Sequence, residues 1–160
     1  MKKKVEEKRT GGRPAGAKKT EEKKEEFITE LDQYLFGQGV HYDIYEKLGA
    51  HPWKKGGRNG VNFAVWAPNA ESVYLIGSFN NWDESACPMT RLEPLGIYEV
   101  FLTEARKGDL YKFLIHTQDG KKLYKADPFA NTAEMRPGTA SKVADIGKIS
   151  WSDHEWMEKR

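Results

Sequence analysis

The sequence predicts an all-β fold, two packed antiparallel sheets forming a sandwich, and three observations predict it. Apolar and polar residues alternate at period two through several short segments. Pairs of Gly, Pro, Asn and Asp separate those segments as turns. No helix-period pattern lies between them, as a doubly wound α/β domain would require. At 160 residues and 38% hydrophobic content, the chain has one-domain length and enough apolar material for a core, provided its polar stretches are gathered elsewhere.

They are gathered at the N-terminus. Residues 1–26 hold ten Lys or Arg, six Glu and little that is apolar beyond Val5. Such a segment cannot bury enough surface to offset the entropy of ordering it, so a disordered charged tail is expected. Residues 27–58 follow as a helix and loop segment. The 3-4 spacing of Phe27, Ile28, Leu31, Tyr34 and Leu35 predicts a short amphipathic helix over Glu25 to Phe36, ending at Gly37 or Gly39. Val40 to Leu48 has mixed periodicity, and Gly56-Gly57 with Asn59-Gly60 marks an exposed turn.

The sandwich is expected over residues 59–147. Val61, Phe63, Val65 and Ala67 share one face of a strand that Pro68-Asn69 closes. Val73, Leu75 and Gly77 alternate likewise, as do Tyr98, Val100 and Leu102 after Gly96. In Leu110 to Thr117, Tyr111, Phe113 and Ile115 take one face and Lys112 the other; Asp119-Gly120 then signals a hairpin into Leu123 and Tyr124. Val143, within Ala140 to Asp145, completes a sheet, and residues 148–160 read as a linker. No repeat of 20 to 50 residues is visible, which argues against a propeller or solenoid.

Charge excludes some partners. The tail carries about +4 of the +2 total, so the other 134 residues sum to about −2. A domain that grips phosphate backbones shows a basic stripe on its folded surface, so no nucleic-acid partner is expected. No stretch approaches the ~18 apolar residues of a membrane span, and no apolar h-region follows the first lysines, so neither membrane nor secretory signal is expected. The lone Cys87 cannot form an intrachain disulfide, and a reducing cytoplasm fits it best.

The residues of familiar chemistries are scattered or missing. His41, His51, His116 and His154 are far apart in sequence and Cys87 has no second cysteine, so no metal site is expected. There is neither a phosphate-binding Gly-rich loop nor a serine in a nucleophile elbow, and no cofactor is called for. Glycosidic cleavage needs two carboxyl groups converging across the scissile bond. The acidic pairs Asp83-Glu84 and Asp153 with Glu155 read instead as solvated turn carboxylates, and no catalytic residue is assigned.

One loop stands out, Gly77-Ser78-Phe79-Asn80-Asn81-Trp82-Asp83. Curved apolar sugar faces edged by hydroxyls call for an exposed aromatic platform with hydrogen-bonding groups beside it. Trp82 with Asn80 and Asn81 supplies both, and Lys112, on the strand face opposite Tyr111, Phe113 and Ile115, favours this reading; alternatively Trp82 is a core anchor, the two Asn cap a turn and Lys112 is an ordinary surface lysine. Trp66, opposite Phe63 and Val65, reads as packing against another segment. Trp53, in the loop before the strands, fits either covering the sheet or packing on another segment, and Trp151 and Trp156 read as anchors for the C-terminal segment or a following domain.

The motifs Tyr34-Leu35-Phe36-Gly37 through His41, Tyr45 to Pro52, Val61 to Ala70, Phe79 to Asp83, Lys125 to Phe129 and Arg136 to Ser141 together resemble bacterial 1,4-α-glucan branching enzymes, over about residues 27–160. Val-x-Phe-x-Val-Trp-Ala-Pro and Phe-Asn-Asn-Trp are shared more widely, with isoamylase-type debranching enzymes and the glycogen-binding β subunit of AMP-activated kinase. The resemblance implies an immunoglobulin-like sandwich, a family 48 carbohydrate-binding module of the kind that precedes an α-amylase-type barrel. It implies a sugar-binding side made by the Trp of Phe-Asn-x-Trp and the Lys of Tyr-Lys-Phe, here Trp82 and Lys112. The kinase-subunit version adds a Trp after the Asp-Gly turn, where this chain has Lys121, Lys122, Leu123 and Tyr124, leaving Tyr124 as a weak substitute.

In such enzymes an Asp nucleophile and a Glu acid on the barrel do the chemistry, and that barrel is absent from these 160 residues. The implied role is therefore non-catalytic: holding α-1,4/α-1,6-glucan (glycogen or amylopectin) and docking a catalytic (β/α)8 barrel in cis or in trans. The alternative is a stand-alone glycogen-targeting scaffold that recruits a partner protein.

Overall fold

A computed structural model describes residues 25–148 and 152–160. The charged tail, apart from Glu25 and Glu26, and Trp151 lie outside the described residues. The first element is helix α1, Glu30–Gly37. It begins later than the apolar spacing predicts because Thr29 caps it: the Thr29 side chain accepts from the Asp32 amide and the Asp32 carboxylate accepts from the Thr29 amide. Phe27 and Ile28 therefore precede the helix, and Leu31 and Tyr34 are 65% and 64% exposed. The expected apolar face is not the face that packs. Ile28, 2% exposed, buries the segment instead.

Nine strands follow among the described residues. The first is β1, Gly49–Lys55, which pairs antiparallel with β2, Arg58–Trp66, through the Gly56-Gly57 turn. The sheet thus starts before residue 59, and Trp53 is a strand residue rather than a loop residue. Pro52 is tolerated because β1 is an edge strand, where a missing N–H can face outward. Next come β3, Ala70–Gly77; β4, Thr90–Leu92; β5, Ile97–Leu102; and β6, Leu110–Thr117. The remaining strands are short: β7, Lys122–Lys125; β8, Thr132–Ala133; and β9, Ser141–Lys142. A five-residue helix α2, His154–Glu158, lies near the C-terminus.

The strands form the expected antiparallel sandwich. One sheet runs β1-β2-β5-β4 and the other β3-β6-β9-β8, with β7 also on β6. Between them lies a core that includes Val61, Phe63, Val65, Val73, Leu75, Tyr98, Tyr111, Phe113 and Val143. Period two therefore sorts the faces as predicted, each fully buried aliphatic or aromatic side chain contributing about 1.5–3 kcal/mol. The Tyr98 hydroxyl crosses the sandwich to donate to the Ala70 carbonyl at 2.9 Å.

A second apolar cluster covers the outer face of the first sheet. Ala64 and Ile97 on that face meet Ile28 and Leu48, with Phe27, Phe36, Ile44 and Phe129 around them. Trp66 packs edge-on against Phe36 at 5.7 Å and donates from Nε1 to the Leu95 carbonyl at 3.0 Å, as its position opposite the core predicts, yet stays 54% exposed. Trp53 lies between Phe27 and Phe101. The N-terminal segment is thus a layer laid on the back of one sheet, which leaves the outer face of the other sheet for a site.

Candidate functional site

The Trp82 loop leaves the end of β3 at Gly77. A Cβ on Gly77 would lie 2.4 Å from the Leu110 carbonyl and 2.6 Å from the Phe79 ring, so only glycine permits this close root. The chain makes a 3-10 turn over Ser78–Asn80 and then places Asn81 and Trp82 consecutively in the left-handed region, at φ 54° and 60°. Such conformations cost of order 1 kcal/mol or more each and persist where the surroundings over-determine them.

Those surroundings are specific. Phe79 packs on Phe63 of the core at 5.6 Å. The Asn80 side chain accepts from the Gly77 amide at 2.9 Å and donates to the Leu75 carbonyl at 3.0 Å. Ser78 donates to Asp109 at 2.8 Å and accepts from the Leu110 amide at 3.1 Å. The Trp82 amide donates back to the Gly77 carbonyl at 2.9 Å. Asn80 therefore spends its amide closing the loop, while the exposed Asn81 side chain has no hydrogen-bond partner among the described residues. The indole of Trp82 is 40% exposed at the tip.

Lys112 stands opposite Ile76 on β6, one residue from the root of this loop. It falls where β9, paired to Leu110 and Tyr111, gives way to β7, paired to Phe113 through His116, on the same edge of β6. The 134–140 loop returns to this position, where Lys112 Nζ donates to the Thr139 hydroxyl at 2.7 Å. Glu134 closes that loop on Ala140 by a backbone bond of 2.9 Å and a side-chain bond of 3.2 Å. Thr139 is a site residue that strand patterning does not single out, because only the tertiary return of the chain brings it to Lys112.

Tyr124 lies on β7 opposite Leu114, on the same outer face as Lys112. Its hydroxyl donates to the Glu84 carboxylate, which also accepts from Lys122 Nζ at 2.6 Å. Further along, Pro88 bridges to Tyr74 on β3. The segment after Glu84 thus runs from side-chain contacts with β7 to backbone pairing with β3, where the Leu75 amide donates to the Cys87 carbonyl and the Met89 amide to the Val73 carbonyl, each at 2.9 Å. The Lys122 and Tyr124 donors hold the Glu84 carboxyl below the usual carboxylate range, and the same contact raises the Tyr124 phenol.

Asp83 instead caps its own turn, accepting from the Ser85 amide and hydroxyl at 2.8 and 2.7 Å. These two neighbouring carboxylates point to different partners. No group of three or more His, Cys, Asp or Glu able to hold a metal occurs among the described residues. His41 joins Asp32 at 2.9 Å, and His116 joins Ser72 at 3.3 Å. No helix among the described residues is long and apolar enough to cross a membrane. Lys112, Thr139 and Tyr124 thus share the outer face of the second sheet, Trp82 and Asn81 are exposed on the loop that leaves the end of β3, and Asn80 turns inward to close that loop.

The profile of carbohydrate-binding module 48, described as the isoamylase N-terminal domain, matches residues 47–130, and the chain belongs to that family. Among curated relatives it is 57% identical over 132 residues to the 1,4-alpha-glucan branching enzyme GlgB of Butyrivibrio fibrisolvens, covering 82% of this chain and 21% of that protein. It is 50% identical over 129 residues to the GlgB of Halothermothrix orenii, covering 81% of this chain and 20% of that one. The chain therefore spans about a fifth of the length of the curated relatives it matches. Among solved structures, Klebsiella pneumoniae pullulanase complexed with maltotriose superposes with a TM-score of 0.51 at 27% identity, covering 62% of this chain and 10% of that chain.

Proposed function

We propose that this chain is a non-catalytic α-glucan-binding and domain-docking module of a 1,4-α-glucan branching enzyme, acting in cytoplasmic glycogen synthesis. The observation that carries this reading is the Trp82 side chain, 40% exposed on a loop whose root lies one residue from Ile76, the cross-strand partner of Lys112, with Lys112 held to Thr139. A glucosyl ring stacks its apolar face on the indole while its hydroxyls meet the ammonium, Thr139 and the Asn81 amide. Tyr124 extends the aromatic surface along the chain. Asn80 acts through the loop, not by touching sugar. The branching-enzyme relatives, about four-fifths of whose length lies outside this match, support a catalytic barrel as the partner in cis. The exposed Trp156 at the C-terminal end suits contact with it.

Affinity electrophoresis of the full chain in gels containing glycogen tests this directly. Wild type is retarded, and Trp82→Ala migrates as in a sugar-free gel. Equal retardation of both proteins would remove Trp82 from the site. Incubation with amylose leaves the iodine colour unchanged; a loss of colour would overturn the non-catalytic assignment.

A further inference from the structure

The sequence assigns Glu84 no task beyond a solvated turn, yet it makes two side-chain contacts to a distant strand. Its carboxylate receives the Tyr124 phenol and the Lys122 ammonium, forty and thirty-eight residues along the chain. Strand β7 needs such a contact. All four of its residues are exposed and, among the described residues, it pairs only with β6, so no buried side chain anchors it. The Asp119-Gly120 turn that feeds it is held by local bonds within residues 117–121. An exposed Tyr on such a strand would otherwise sample several rotamers. Glu84 sits two residues after Trp82, so the group that restrains Tyr124 belongs to the loop that presents the indole.

We infer that Glu84 is a positioning residue of the glucan site, a clamp that joins Tyr124 of β7 to the Trp82 loop and makes two separate aromatic groups one pre-ordered platform. This rests on the glucan-binding reading above. The clamp bears on affinity because ordering a side chain before binding removes that cost from the binding step. A linear α-glucan spanning both rings benefits, whereas a ligand short enough to touch only Trp82 does not. Glu84 thereby favours longer chains over short ones without touching either.

Titration calorimetry of the full chain with maltoheptaose and with maltose tests the clamp. Glu84→Ala and Tyr124→Phe should each weaken maltoheptaose binding by about three- to tenfold, and Glu84→Ala should change maltose binding little. The double variant should be no worse than either single one, since both remove the same contact. Glu84→Gln, which still accepts from the phenol, should recover most of the lost affinity. If Trp82→Ala abolishes binding while Glu84→Ala and Tyr124→Phe bind as wild type, or if their losses multiply in the double variant, the clamp is wrong and the glucan site stands. If Trp82→Ala also binds as wild type, the site itself is misplaced and the clamp falls with it.

Discussion

The hydroxyl of Tyr111 donates to the carboxylate of Asp127 inside the sandwich, at 2.5 Å. Tyr111 is fully buried on β6 and Asp127 is 7% exposed, so the bond ties the 126–130 segment to the core. The Phe129 amide supplies a second donor to the same carboxylate at 2.8 Å, and the Ser141 hydroxyl accepts from the Asp127 amide at 2.8 Å. Burial pushes the Asp127 carboxyl above its ordinary range, although both donors and nearby His51 favour the charged form.

Removing the phenol leaves that carboxylate short of a partner. Tyr111→Phe should lower unfolding free energy by about 1–3 kcal/mol, measured by urea denaturation.

The pH dependence has a definite sign. The fold favours protonated Asp127, so this group's contribution is fullest below its reference value of 3.8 and is lost as pH rises through the raised folded value. Asp127→Asn removes that loss. Denaturation at several pH values should show the stability difference moving in the variant's favour as pH rises; a constant difference would contradict the shift.

Asp32 behaves oppositely. Burial alone would raise its pKa, but hydrogen bonds from His41, Thr29 and Lys47 outweigh that and bring it to about 2. Its contribution is present above 3.8 and fades as pH falls through about 2. Allowing for solvent screening, Asp32→Asn should cost about 1 kcal/mol at neutral pH and little at the acid end. The loss should appear as weaker hydrogen-exchange protection of α1, because Asp32 also joins Lys47, whose ammonium donates to the Phe27 carbonyl.

The two asparagines of the loop should separate cleanly. Asn80→Ala strips partners from the Gly77 amide and Leu75 carbonyl and should destabilise by about 1–3 kcal/mol, with glucan affinity falling because the loop loosens. Asn81→Gly keeps the left-handed backbone at no steric cost and should leave the melting temperature nearly unchanged while reducing affinity. Differential scanning calorimetry with glycogen retardation resolves the two effects.

Gly77→Ala should be severe, above 2 kcal/mol, since the new methyl meets backbone and ring atoms that cannot withdraw together. A soluble variant with wild-type melting and binding would contradict the close approach at the loop root.

The strands with clean alternation, β2, β3, β5 and β6, were legible because one face of each lies in the core. Strand β1 was not: Pro52 and the alternation-breaking Gly49-Ala50 disguise an edge strand whose residues face a covering layer as well as the core. Strands β4 and β8 have three and two residues, too few for any period to register. The helix was legible in kind but not in face, because Thr29 fixes its start and the adjoining Phe27 and Ile28 do the packing. At the site, Trp82, Asn81 and Lys112 carry local signals. Thr139 and Glu84 take their positions from contacts 27 and 38 or more residues away, which no window of sequence reveals.

The N-terminal layer and the Trp82 face lie on opposite outer surfaces of the sandwich, with the core between them. A polymer lying along one surface leaves the other unobstructed. Whatever grips the half-exposed Tyr34, Tyr45 and Trp66 side can therefore stay attached while glucan chains of any length slide past the far side, so occupancy of the two surfaces need not compete.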